Sequence, residues 1–93
     1  MTYYVVTLYD ELGTEILKTK FESISQAKEY LFQSQFNPET AAGRLEMITE
    51  IYGSVVASNT IDFGMWKPVQ DEQLQTEYYR RGLEYARISE STV

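Results

Sequence analysis

Tyr78-Tyr79-Arg80-Arg81 places two phenols and two guanidinium groups within one predicted helical turn, with Tyr85 and Arg87 close behind. Tyrosine and arginine are enriched where proteins make energetically decisive contacts, because each joins a broad rigid surface to directional polar groups. The chemistry this cluster offers is contact rather than catalysis, and Tyr79, Arg80 and Arg81 are the candidate partner-binding residues. Core packing accounts for part of the pattern. Tyr78 and Tyr85 lie seven residues apart on the stripe of Leu74, which assigns them inward, whereas Tyr79 lies about 100° around the helix. Arginines late in a helix also complement its macrodipole.

The same residue types can stack on single-stranded nucleic acid. The net charge of −6 and the lack of a long basic stripe oppose phosphate binding. The expected partner is therefore a protein or a second copy of the chain. The opposite possibility is an acidic inhibitor that mimics nucleic acid and blocks a DNA- or RNA-binding protein. Glu46, Glu50 and Asp62 would supply its negative face, with Glu39 or Asp71, Glu72 and Glu77 beside it. Acids in a first helical turn are expected for dipole reasons alone, and the basic residues are interspersed among them.

The chain contains no histidine and no cysteine. That removes the usual proton shuttle near neutral pH and the thiolate that serves as nucleophile or soft metal ligand. Serine and threonine hydroxyls lack a histidine partner, Lys67 has no identifiable activator, and no glycine-rich loop is arranged to cradle phosphate. Carboxylates could hold calcium or cleave a glycosidic bond, but no Asp-rich loop has calcium-loop spacing and a chain this small has little room for a sugar cleft. The expectation is a non-enzyme with no cofactor and no metal site.

These residues need a scaffold, and 93 residues of which 43% are hydrophobic and 24% charged fit one folded domain. Thr2 to Tyr9 is β-branched and aromatic, and Asp10 to Thr14 suits a reversal with Gly13 at positive φ. A strand from Glu15 to Phe21 follows. A three-residue loop over Glu11 to Gly13 predicts Tyr3, Val5 and Thr7 on one face with Leu17, Thr19 and Phe21, leaving Tyr4, Val6, Leu8 and Ile16 beside Lys18 and Lys20. Both faces are then partly apolar, and this motivates the expectation of a homodimer over a monomer.

Ser23 and Gln26 have capping-box spacing, so Ile24 to Gln35 reads as a helix, stopped at Asn37-Pro38. Its inward stripe is predicted as Ile24, Ala27, Tyr30 or Leu31, and the edge of Phe32. Arg44 to Ile51 and Val55 to Phe63 form a second hairpin around Tyr52-Gly53-Ser54. Burial favours a register that aligns Leu45, Met47 and Ile51 with Ile61, Asn59 and Val55, with Glu46, Glu50, Ser58, Thr60 and Asp62 on the other face. A two-residue Gly-Ser loop would instead set Leu45, Met47 and Ile51 opposite Asp62, Thr60 and Val56. Trp66 is laid across the core edge by a connector, and Asp71 opens a last helix that reaches about Ile88.

The predicted fold class is α+β: two β-hairpins forming a four-stranded, mostly antiparallel sheet, in the order ββαββα, with helical cover. Residues 1–88 are expected to form the single domain and 89–93 a flexible tail. The terminal Glu90-Ser91-Thr92-Val93 matches the short pattern captured by PDZ domains, but two loosely specified positions in a polar tail carry no function on their own. No apolar run approaches a membrane span and no signal-peptide pattern opens the sequence, so the reading is a soluble, cytoplasmic protein.

Overall fold

The computed structural model describes residues 1–80. Strand β1 spans Thr2–Tyr9, β2 Glu15–Phe21, helix α1 Ile24–Ser34, β3 Ala42–Ile51 and β4 Ser54–Met65. A second helix, α2, covers 72–80 and reaches the last described residue. The four strands form one antiparallel sheet in the order β2-β1-β3-β4, so the two hairpins are joined through β1 and β3. The expected α+β class and the ββαββα order are the ones observed. The second hairpin is longer than its sequence suggests, with β3 beginning two residues earlier and β4 ending two residues later.

The first turn forms as expected. The amide of Gly13 donates to the Asp10 carbonyl, the Asp10 carboxylate accepts from the amides of Leu12 and Thr14, and Gly13 takes a φ of 86°. The register beyond it does not follow. Tyr9 pairs with Glu15 but Leu8 pairs with Leu17, so Ile16 is an extra residue in a bulge. One inserted residue reverses every side chain that follows, because strand side chains alternate with period two. Tyr4, Val6 and Leu8 thus share a face with Phe21, Thr19 and Leu17, whereas Val5 and Thr7 sit across from Lys20 and Lys18. The bulge concentrates the apolar residues of both strands on one face and the lysines on the other.

Two bulges also shift the second hairpin. Its loop is the two residues Tyr52-Gly53, both at positive φ (52° and 78°), as a twist-matched hairpin turn requires. Met47 opposes Asn59 in the expected register, but Ile51 opposes Ser54 and Leu45 opposes Asp62. Asp62 therefore lies on the Leu45 side of the sheet, while Glu46 opposes Val5 on the other side. The single acidic face expected of Glu46, Glu50 and Asp62 is divided.

Helix α1 covers the face of Val6, Leu8 and Leu45, with Ala27 and Leu31 pressed onto them. Its N-terminus is closed by Ser23, whose hydroxyl accepts from the Gln26 amide. The buried positions are Ala27, Leu31 and Ser34, with Tyr30 tilted against Phe21 at 5.2 Å. Ile24 and Phe32, expected inward, are exposed. Ala27 and Leu31 of the predicted stripe are buried, while Ser34 turns inward and Phe32 lies edge-on to Phe36 outside the core.

The opposite face has its own core at one end of the sheet. Ala41, Ala42, Phe63, Val69 and Leu74 are buried together, with Tyr9, Met65 and Tyr78 packed around them. Asp71 caps α2 by accepting from the Leu74 amide, and this end of the helix is held near the first turn, where the Gln70 amide donates to the Glu11 carbonyl. The face of the first hairpin away from α1 is thus met within the same chain at its turn end, where Tyr9 packs into the core that includes Leu74 of α2.

Candidate functional site: an aromatic groove beside the second helix

Phe63 fixes the phase of α2. It is 7% exposed and lies 6.2 Å from the Tyr78 ring, which turns Tyr78 toward the sheet. Tyr79, one residue on, points away; it is 66% exposed and meets Tyr78 edge-on at 5.7 Å. Arg44 secures the same helix from below. Its guanidinium is paired with the Glu77 carboxylate and stands 5.8 Å and 5.7 Å from the ring centres of Tyr9 and Phe63. A half-buried charge held between two aromatic faces and a carboxylate allows little rotation of the helix about its axis.

The connector before α2 is fixed from the other side. Gly43 and Gly64 are paired across β3 and β4, and a β-carbon built on either would come within 3.1 Å of the Trp66 ring. The absence of side chains at both positions makes room for the indole on the sheet face that α1 covers, where Trp66 packs at the margin of the core of Val6, Leu8, Leu31 and Leu45. The amides of Trp66 and Lys67 both donate to the Ala41 carbonyl, at 2.8 and 3.2 Å. Lys67 also donates through its ammonium to the Pro38 carbonyl, and the Gln75 side chain donates to the Val69 carbonyl.

Between this connector and α2 runs an open groove of about 320 Å³, lined by Trp66, Lys67, Pro68, Gln75, Tyr78 and Tyr79 among others. Of the predicted contact residues, Tyr79 belongs to it. Arg80 is exposed and lines a separate hollow with Glu72, Gln73, Thr76 and Glu77. Arg81, with Gly82, Tyr85, Arg87 and the terminal Ser91-Thr92-Val93, lies outside the described residues. Tyr79 and Arg80 thus line different hollows, and Tyr79 joins residues that no spacing in the sequence groups with it. Pro68, Lys67 and Gln75 carry no local signal of such a role, since the chain must first cross the end of the sheet to meet α2.

The three carboxylates expected to form the acidic face are each engaged within the fold. Glu50 accepts from the Tyr3 hydroxyl at 2.7 Å, Glu46 from the Ser58 hydroxyl at 3.0 Å, and Asp62 from the amide of Phe63 at 2.8 Å. Among the described residues no group of three or more carboxylates is arranged to hold a metal ion. No helix among them is long and apolar enough to cross a membrane.

Two phenols titrate unusually. The bond to Glu50 holds the Tyr3 proton and raises its pKa. Burial raises that of Tyr9, with Arg44 pulling the other way and Glu46, Glu15 and Glu77 adding to the rise. The folded chain therefore binds the Tyr9 proton more tightly than the unfolded chain does. Its contribution to stability is complete below the unfolded value of about 10 and is lost as pH rises through the higher folded value. Urea unfolding between about pH 9 and 11 should show stability falling with pH, less steeply in Tyr9→Phe. Equal slopes would show that Tyr9 is not the group responsible.

No family model, no curated protein and no solved structure matches this chain.

Proposed function

We propose that the protein is a non-enzymatic interaction domain whose aromatic groove holds an extended segment of a partner protein. The observation that carries this reading is Tyr79: a large aromatic side chain, 66% exposed, braced by Tyr78, which is itself packed on Phe63. Ordering a free tyrosine on binding costs side-chain entropy, and bracing reduces that cost beforehand. The pinned connector does the same for Trp66 and Pro68. Lys67 and Gln75 use one donor each on the Pro38 and Val69 carbonyls, respectively, and keep further polar hydrogens for a bound backbone.

The nucleic-acid mimic draws less support. Asp62 is separated from Glu46 by the sheet, and Lys18, Lys20 and Arg44 share the side that carries Glu46. A surface with both signs interleaved does not reproduce the single-sign field of a phosphate backbone.

Trp66, the single tryptophan, lines the groove, so its fluorescence is the natural reporter. A displayed random-peptide library should yield sequences that bind the wild-type domain, change Trp66 emission and persist at high salt. Tyr79→Ala should weaken them by about tenfold or more while moving stability by no more than about 0.5 kcal/mol. Selected peptides that bind Tyr79→Ala equally well would remove the groove as the site. Binding that disappears with added salt would transfer the reading to charge mimicry.

A further inference from the structure

The sheet has two edges, and they differ in chemistry. Edge strand β2 carries Glu15, Lys18 and Lys20 and is kinked by the bulge at Ile16. Charges and bulges of this kind prevent an edge from templating another strand. The other edge is β4. From Ser54 to Asn59 it has neither a charged residue nor a proline, and every side chain in that run is exposed. Among the described residues no strand lies beyond it. The adjoining turn adds exposed Ile51 and Tyr52 to exposed Val55 and Val56.

The geometry points to this edge as a homodimer interface, in which Ser54 to Asn59 pairs antiparallel with the same run of a second copy to give a continuous eight-stranded sheet. Charge identifies the occupant. With a net charge of −6, two copies repel over most approaches, but this run meets its own image with no like charges opposed. A two-fold axis at Ala57 would place Ala57 against its own copy, Val56 of one copy against Ser58 of the other, and Val55 against Asn59. The contact is self-complementary and closed, as a two-fold interface must be. The bulge that leaves Val56 without a partner on β3 limits the pairing to a short stretch. Six residues a side with a small apolar tip bury less than the roughly 800 Å² per partner of a standard interface, so the dimer should be weak and concentration-dependent.

Sedimentation equilibrium of the wild-type chain should therefore show monomer near 1 µM and substantial dimer by about 200 µM. Ala57→Lys and, separately, Ser58→Lys should each weaken dimerisation by at least about tenfold, because each places like charges across the axis. Leu17→Lys, on the opposite edge, should leave it unchanged. Circular dichroism confirms that each variant is folded, and amide exchange of residues 54–59 should slow with concentration in the wild type. Persistent monomer at 200 µM would overturn the proposal. So would a dimer that survives both lysines or is lost with Leu17→Lys; the last result would locate the interface at β2.

Discussion

Replacing Leu45 by alanine should lower the free energy of unfolding by about 3 to 5 kcal/mol, the upper part of the range for buried leucine. Leu45 is fully buried, opposite Val6 on β1, and α1 seals it with Ala27 and Leu31. The cost of such a change depends on how far the surroundings relax into the space. Here the neighbouring strands are fixed by backbone hydrogen bonds on both sides of β3, so collapse is limited and most of the cavity should remain. Leu17→Ala gives the contrast: its side chain lies toward the same face but on an edge strand and is 46% exposed, so its loss should cost no more than about 1 kcal/mol. Urea unfolding of both variants measures the difference. A Leu45→Ala cost below about 1.5 kcal/mol would mean that the core is not organised around this residue.

Phe63→Ala should cost about 3 to 4 kcal/mol and act on a different part of the molecule. Phe63 is the largest buried side chain of the second core, and it is the surface on which Leu74 and Tyr78 settle. Its removal also takes away one of the two rings beside the Arg44 guanidinium. Amide exchange in residues 74–79 should accelerate more than exchange in α1, since local opening follows the loss of local buried contacts. Peptides selected for the groove should lose affinity along with it. Uniform acceleration across both helices would show that the two cores unfold as one unit and that Phe63 is not the particular anchor of α2.

The first two strands were legible from residue type alone because β-branched and aromatic runs are bounded there by a strong turn signal. Ser23 marked the start of α1 for a similarly local reason. The bulge at Ile16 was not legible: an Ile-Leu pair fits a regular strand equally well, and only the helix packed on Val6 and Leu8 decides which of the two turns inward. The same limit applies to Asp62. Its position on the Leu45 side follows from a bulge in the middle of a strand whose local sequence favours no particular register. At the candidate site, helical period placed Tyr79 outward, and the connector before the last helix placed Trp66 at the core edge. The groove between them depends on the Gly43–Gly64 pairing and on the Arg44–Glu77 ion pair, which join residues far apart in sequence and leave no periodic trace.

The placement of β1 between β2 and β3 bears on how the chain reaches this fold. Each hairpin closes over a short turn, so its contacts form at little entropic expense. Joining them is a different matter, because Tyr9 must find Ala42 and Thr2 must find Thr49 across the whole intervening segment. Helix α1 lies within that segment and, at about 1.5 Å rise per residue, shortens the path a flexible chain would otherwise have to close. It also presents Ala27 and Leu31 to the seam where Val6 meets Leu45. The central pairing is thus the long-range event with the largest loop to close, and the helix between the hairpins is the part of the sequence that makes the closure shorter and more rewarding.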